Sequence, residues 1–176
     1  MANKLNLGCG TDIRPGWINL DIAPLEGVDI VHDINKLPLP FKSDSFEYIL
    51  CKDILEHVDY APLMKELHRI LKKGGIIEIE VPHFTSRLNF VDPTHKKLFS
   101  YKLFEFFLEN HPRSYYFDFH FSEIIFTRIT FEKSLLFYNY LVEPLVNINE
   151  KTMRLYEATF LSRLFPAGNL IVKLRK

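Results

Sequence analysis

The sequence predicts an α/β fold built on a doubly wound, mostly parallel sheet with shortened first helices. Five short apolar runs of strand length follow one another in the first half of the chain, and four of them end in residues typical of a ligand-binding edge. A Gly-x-Gly turn follows the first run. The first two runs lie too close together for the dozen or so residues of an ordinary crossover, so no full helix is expected between them.

Residues 4–21 contain the first two runs and the turn between them. Gly8 and Gly10 follow a strand directly, where glycine permits positive φ and lets a ligand approach the backbone closely. Asp21 ends the second run, and its carboxylate can accept hydrogen bonds from both hydroxyls of a ribose. The pattern fits half of a nucleoside site, although a glycine turn without a ligand is the simpler alternative. A dinucleotide fingerprint fits less well because Ile13 replaces its third glycine.

In these residues the sequence resembles the class I S-adenosylmethionine-dependent methyltransferases. It is most similar to their small type 11 branch, whose opening motif runs Leu-Asn-Leu-Gly-Cys-Gly and then Gly-Trp-x-Asn-x-Asp. Residues 37–57 and 71–82 resemble two further signatures of that branch, so the likeness covers residues 4–82 strongly. It implies a Rossmann-like, seven-stranded sheet with the last strand antiparallel between the fifth and the sixth. It also implies S-adenosylmethionine as the cofactor.

The resemblance assigns roles around this cofactor. Gly8 and Gly10 would flank its methionine part, Asp21 would hold the ribose, and Asp33 would accept a hydrogen bond from the adenine amine. Capping a turn or helix is the alternative role for Asp33. The predicted cofactor residues are Gly8, Cys9, Gly10, Asp21, Ile22, Asp33, Ile34, Cys51, Lys52 and Asp53.

Two more strands and a loop are predicted before the first helix. Residues 28–32 and 46–51 are apolar runs short enough for buried parallel strands. Two prolines within residues 37–41 favour extended backbone, so this segment is expected to be a fixed loop.

A helix is predicted over residues 62–73, where apolar residues recur at helical spacing and the last turn is basic. Gly74 should end it, and a fifth strand follows over residues 76–81. His57 lies ahead of this helix. It can line the pocket as a base or satisfy a buried backbone carbonyl, and we favour the structural role.

Residues 83–95 follow the fifth strand and should therefore lie at the ligand edge as a functional loop. His83, Asp92 and His95 are the candidate catalytic residues, because a histidine can remove the proton from an acceptor hydroxyl or amine as the methyl group transfers. Asp92 can instead cap a helix that begins near Thr94. No metal site is predicted, since these residues lack a fixed short spacing.

The second half is rich in aromatic residues. A helix over residues 96–109 should bury an aromatic stripe in the core. Residues 115–121 can wall an apolar acceptor, with Tyr115, Tyr116 and His120 as polar groups, or they can form a homodimer surface. The sequence leaves these alternatives open.

The end of the chain should complete the sheet. A sixth strand is expected over residues 123–133, followed by a helical stretch over 136–165 that is interrupted at Pro144. The last strand is expected over residues 169–174.

Composition limits the remaining choices. The 176 residues fit one domain, with a cofactor-binding half over 4–82 and an acceptor-side half over 83–176. Lys plus Arg equals Asp plus Glu at 22 each, so no general attraction to nucleic acid is expected. Two cysteines are too few for a disulfide scaffold, and no apolar run reaches membrane-span length. A reduced, cytoplasmic protein is expected.

The function predicted from the sequence is methyl transfer from S-adenosylmethionine to an oxygen or nitrogen of a small molecule. A catalytically silent protein that only binds the cofactor is the first alternative, because the acceptor half has no diagnostic motif. A nucleic-acid methyltransferase is less favoured, since charge is balanced and the Asn/Asp-Pro-Pro-Tyr motif for a flipped base is missing.

Overall fold

The computed structural model describes residues 3–176. Its seven strands are β1 (Lys4–Leu7), β2 (Ile18–Asp21), β3 (Ile30–Val31), β4 (Phe46–Lys52), β5 (Leu71–Pro82), β6 (Glu123–Ile129) and β7 (Asn169–Arg175). They form one sheet in the order β3-β2-β1-β4-β5-β7-β6. Neighbours from β3 to β5 are parallel, whereas β7 is antiparallel to both β5 and β6. The predicted α/β class, the mostly parallel Rossmann-like sheet and the place of the last strand are confirmed.

The helices of the described chain are α1 (Tyr60–Ile70), α2 (Leu88–Val91), α3 (Asn139–Val146), α4 (Glu150–Ala158) and α5 (Leu161–Leu164). Two 3₁₀ turns, Leu103–Phe107 and Ser114–Tyr116, lie in the second half. Within residues 3–176 the first helix comes only after β4, which confirms the shortened start of the fold. Each helix in this range is too short or too polar to span a bilayer.

Polar side chains replace a helix in the connections among β1, β2 and β3. Oδ1 of Asn19 accepts hydrogen bonds from the backbone N–H of Arg14 (2.9 Å) and from Nδ2 of Asn6 (3.2 Å). Oδ2 of Asp29 accepts from the backbone N–H of Asn19 (2.8 Å). Because these bonds satisfy the backbone of short loops, the chain passes from strand to strand without covering the end of β2.

The predicted end of the first helix at Gly74 is wrong. α1 ends at Ile70, and Leu71 already pairs with Phe46 at the start of β5. The side chains of Leu71 and Phe46 are both buried, so strand pairing outweighs the helical spacing of the sequence. Gly74, with φ of +77°, instead allows the irregular turn at the beginning of β5.

The predicted helix over residues 96–109 is also wrong, and only the 3₁₀ turn Leu103–Phe107 forms there. The backbone N–H of Lys96 donates to a carbonyl that follows β4 (2.7 Å), and that of Tyr101 donates to the carboxylate of Glu157 (2.9 Å). These tertiary bonds use groups that an α-helix would need. Most aromatic side chains of this stretch enter the core as predicted, and the buried ones are Phe99, Tyr101, Phe104 and Phe107.

The helical stretch after β6 breaks later than predicted. Pro144 lies within α3, and the interruption falls between α3 and α4. There, the side chain of Asn147 accepts from the backbone N–H of Ile129 (2.8 Å) and donates to its carbonyl (2.7 Å). Asn149 then begins α4 with a capping box. β6 ends at Ile129, before the predicted residue 133.

Candidate functional site

The glycine turn after β1 fixes the carboxylate of Asp21. Gly8 and Gly10 have φ of +65° and +49°, in the region that glycine enters most readily. The backbone N–H of Gly10 donates to Oδ2 of Asp21 (2.8 Å), and that of Ala23 donates to Oδ1 (2.9 Å). Each carboxylate oxygen keeps a further lone pair, so Asp21 can still accept hydrogen bonds from a ligand.

Two cavities meet at Gly8. The β2–β3 cavity, of about 210 Å³, lies beyond the carboxyl ends of those strands. The β1–β4 cavity, of about 440 Å³, lies beyond β1 and β4. The β2–β3 cavity is lined by Gly8, Asp21, Ile22, His32, Asp33, Ile34, Asn35, Ile54, His57 and Val58. The β1–β4 cavity is lined by Asn6, Gly8, Cys9, Thr11, Asp12, Lys52 and Asp53.

The side chain of Ile54 fills the space beside Gly8. A Cβ at this position would lie 1.9 Å from Cδ1 of Ile54, closer than two carbon atoms can approach without contact strain. The positive φ favours glycine, and any larger residue would have to displace the Ile54 side chain. This close approach is what a cradle for a bound nucleoside needs.

Eight of the ten predicted cofactor residues line the two cavities. Gly10 lines neither, but it holds Asp21 through its N–H. Cys51 does not reach either cavity, because β4 continues through Lys52 and the Cys51 side chain is fully buried in the core. This burial raises the pKa of the Cys51 thiol.

The segment after β4 contributes residues to both cavities. Lys52 and Asp53 line the β1–β4 cavity, whereas Ile34 lines the β2–β3 cavity. The residues that face Ile34 in the β2–β3 cavity are Ile54 and His57. Asp53 also has φ of +52°, which is uncommon outside glycine and concentrates at functional sites.

Asp33 has the capping role that the sequence left open, and its bond to the adenine amine stays a prediction. It lines the β2–β3 cavity, and its Oδ1 accepts hydrogen bonds from the backbone N–H (3.0 Å) and from Nδ2 (3.1 Å) of Asn35. The two bonds lower the pKa of Asp33. The carboxylate therefore caps a turn at the rim of the cavity.

Glu56, His57 and His95 form a group of titratable side chains beside the β2–β3 cavity, which we call the histidine cluster. The rings of His57 and His95 pack edge to face, with 4.7 Å between their centroids. Nδ1 of His57 lies 2.8 Å from Oγ1 of Thr94. Nε2 of His95 lies 4.0 Å from Oε1 of Glu56. One donor atom from each member of the cluster lies within 4.8 Å of the other two.

Glu56 is fully buried, and neither of its carboxylate oxygens has a hydrogen-bond partner among residues 3–176. Its burial raises the pKa of Glu56 to about 7. Burial, and secondly the charge that His95 can carry, lower the pKa of His57. His57 is therefore a neutral imidazole at neutral pH. An unpartnered buried carboxyl group is costly, and such a group indicates a functional site.

The structure brings together two of the three predicted catalytic residues. Oδ2 of Asp92 lies 3.8 Å from Nε2 of His95. Asp92 accepts from the backbone N–H of Thr94 (2.8 Å) but caps only a turn, since no helix begins there. His83 is fully buried away from this pair, with its Nε2 3.1 Å from Glu157.

Sequence reasoning missed Glu56 as a site residue. The signal was the Glu-His pair shortly after β4, but only His57 was considered. Glu56 becomes notable once its burial and its lack of partners are known, and neither property can be read from the sequence.

The aromatic segment 115–121 does not line either cavity. Tyr115 and Tyr116 are 74% and 57% exposed, whereas Phe119 and Phe121 are buried. His120 contacts the carbonyl of Ser114 through Nε2 (3.1 Å). The segment is therefore part core and part surface.

A larger cavity, of about 620 Å³, lies between the segment around Leu108 and the start of α4. It shares no lining residue with the β2–β3 and β1–β4 cavities. We place the site at the β2–β3 and β1–β4 cavities. Among the described cavities, only these combine the positive-φ glycine turn with the oriented carboxylate of Asp21.

Comparison with known proteins finds similarity to methyltransferases. Residues 6–79 match the family model of a methyltransferase domain. The chain is 29% identical over 102 residues to a demethylmenaquinone methyltransferase of Lysinibacillus sphaericus, a match covering 51% of this chain and 43% of that protein. It is 48% identical over 48 residues to an uncharacterized protein of Methanocaldococcus jannaschii, covering 27% of this chain and 21% of that protein.

Among solved structures, the chain resembles a SAM-dependent methyltransferase of Archaeoglobus fulgidus with a TM-score of 0.62 and 18% identity. The likeness covers 98% of this chain and 85% of the other, and at this identity it shows the fold. The chain spans less than half the length of the two curated relatives.

Proposed function

We propose that this chain, whose residues 6–79 match a methyltransferase domain, is a class I S-adenosylmethionine-dependent methyltransferase of the type 11 branch and transfers a methyl group to a small molecule. The accepting atom would be an oxygen or a nitrogen. The observation that carries the proposal is the glycine turn with its oriented Asp21, placed where two cavities meet at Gly8.

The two cavities divide the proposed cofactor between them. Asp21 would accept from the ribose hydroxyls, with the adenine in the β2–β3 cavity beside Asp33 and Ile34. The amino-acid end would lie in the β1–β4 cavity, where Lys52 and Asp53 offer one charge of each sign. Gly8 would pass under the junction, where a side chain would clash.

The bound cofactor supplies a methyl group activated by its positively charged sulfur. The acceptor's lone pair would form the new bond to the methyl carbon, and the electron pair of the broken carbon–sulfur bond would stay on sulfur. The protein's part is to align the two reactants in line and to exclude water. A hydroxyl or amine acceptor must also lose a proton.

We propose that the acceptor approaches from the side of His95 and Asp92. These residues lie together next to His57, which lines the cofactor cavity. His83 was the third catalytic candidate. Because its ring nitrogens face Thr85 and Glu157 in the buried interior, we propose that it positions the loop after β5.

The relatives named as demethylmenaquinone methyltransferases support a small-molecule acceptor. Balanced charge supports the same choice over nucleic acid. We further propose that the exposed aromatic residues of the second half form a homodimer surface, since Tyr115 and Tyr116 line neither cavity.

Calorimetric titration with S-adenosylhomocysteine tests the proposed cofactor site. Replacing Asp21 by Ala should weaken binding by about 1.5–3 kcal/mol, which is roughly ten- to a hundredfold or more, because hydrogen bonds between the ribose and a charged group are lost. Asp118→Ala is the control, as it removes an exposed carboxylate paired with Lys65. Equal affinity in both variants would mean that the ribose binds elsewhere.

Mass detection of methylated product then separates an enzyme from a silent binding protein. Turnover of any small acceptor supports the proposed transfer. Tight binding of S-adenosylhomocysteine with no methylated product from a broad acceptor panel would favour a silent cofactor-binding protein.

A further inference from the structure

The histidine cluster contains a buried carboxylate that the protein itself does not satisfy. Both oxygens of Glu56 are without hydrogen-bond partners in the described chain, although the residue is fully buried. Buried charges in proteins are normally paired or bound to metal ions. The imidazoles of His57 and His95 lie beside this carboxylate. The cluster therefore offers both carboxylate and imidazole ligands.

The two histidines present nitrogen atoms toward the same space. Nδ1 of His57 is held by Oγ1 of Thr94 (2.8 Å), which leaves Nε2 as the free donor. Thr94 in turn donates its hydroxyl to Asp92 (2.6 Å). Nε2 of His95 lies 4.0 Å from Glu56 and 3.8 Å from Asp92. A second partner that orients a ligating imidazole is typical of metal sites.

We propose that Glu56, His57 and His95 bind a divalent transition-metal ion. Two imidazoles and one carboxylate suit zinc or ferrous iron, and such a set leaves positions open for other ligands. Metal–ligand bonds of about 2.0–2.2 Å require the three donor atoms, now within 4.8 Å of one another, to move closer together. Asp92 is near enough to His95 to add a further oxygen.

The bound ion would activate the acceptor for methyl transfer, and this role rests on the proposed function. His57 belongs to both the cluster and the wall of the cofactor cavity, so the ion would lie beside the bound cofactor. A bound divalent ion lowers the pKa of an oxygen that it coordinates. An acceptor hydroxyl would release its proton to solvent and attack the methyl carbon as the carbon–sulfur bond breaks.

Calorimetric titration of the metal-free full chain with Zn²⁺ tests the site. The visible absorption of bound Co²⁺ reports the coordination of the ion. The wild type should bind one equivalent. Glu56→Gln and His95→Ala should each weaken Zn²⁺ binding by at least tenfold, because each removes one ligand. Glu26→Gln and His111→Ala make the same changes at residues outside the cluster and should bind like the wild type.

Circular dichroism shows whether each variant is folded, and a titration with S-adenosylhomocysteine separates this inference from the proposed function. Binding of S-adenosylhomocysteine without stoichiometric Zn²⁺ would overturn the metal site and leave the proposed function standing. Stoichiometric Zn²⁺ binding that Glu56→Gln and His95→Ala leave unchanged would also overturn it. Zn²⁺ binding that is lost in both variants, without S-adenosylhomocysteine binding, would support the metal site and contradict the proposed function.

Discussion

Gly8 has the strictest steric requirement of the site. Its φ is +65°, and a Cβ there would overlap Cδ1 of Ile54. Gly16 has a similar φ of +80°, but no atom lies within 4 Å of its hypothetical Cβ. Comparing alanine substitutions at Gly8 and Gly16 therefore separates the cost of backbone strain from the cost of filling the cofactor cradle.

We expect Gly8→Ala to weaken S-adenosylhomocysteine binding by at least tenfold, or about 1.4 kcal/mol. The methyl group must displace Ile54 into the β2–β3 cavity. Gly16→Ala should lose about 1–2 kcal/mol of stability from strain alone and keep its affinity. Calorimetric titration and urea unfolding of both variants measure these effects, and equal affinities would contradict the placement of the cofactor at Gly8.

The residues that could be predicted from the sequence are those in local patterns. Asp21 and the glycines of the turn lie within one short motif, and the structure places them together. Cys51 was misplaced because the end of β4 depends on its pairing with β5, up to Lys52 opposite Glu80. The contact between Glu56 and His95 joins distant parts of the chain, and no local pattern predicts it.

Glu143 joins two elements of the second half. From α3, its carboxylate accepts from Arg128 (2.6 Å), from Lys133 (2.8 Å) and from the backbone N–H of Phe131 (3.0 Å). Burial alone would raise the pKa of Glu143, but the hydrogen bonds from Lys133 and Arg128 outweigh it and lower the pKa. The carboxylate thus fastens α3 to the end of β6.

Glu143→Gln should lower the free energy of unfolding by about 2 kcal/mol at neutral pH. Because the folded pKa lies below the usual glutamate value of 4.5, this stabilisation is present above that pH and is lost as the pH falls below it. Urea unfolding at pH 7 and below pH 4.5 checks both statements. Glu123→Gln, an exposed pair with Arg175, should change stability by less than about 1 kcal/mol.

Elements could be predicted where periodicity and tertiary packing agree. Strands β1, β2, β4 and β5 have apolar residues that are buried in the sheet. The stretch 96–109 has a helical pattern, yet its backbone N–H groups bond to other parts of the chain. A sequence pattern shows which side chains enter the core, but not which backbone groups find partners outside their own segment.

At the scale of the whole molecule, exposed aromatic side chains distinguish the second half. Phe137 and Phe160 are 75% and 72% exposed, and exposed apolar surface can serve as an interface. We expect sedimentation to show a homodimer. The double variant Phe137→Ser, Phe160→Ser should shift the equilibrium toward the monomer. The control Val31→Ser changes an exposed residue of the first half. A monomeric wild type at high concentration would contradict the homodimer proposal.

A crystal structure of the full chain with S-adenosylhomocysteine is the most direct test of the cofactor site. The ribose hydroxyls should lie within hydrogen-bond distance of the Asp21 carboxylate, with the adenine between Ile34 and Ile54. S-adenosylhomocysteine bound in the 620 Å³ cavity near Leu108, or no binding at all, would contradict the assignment.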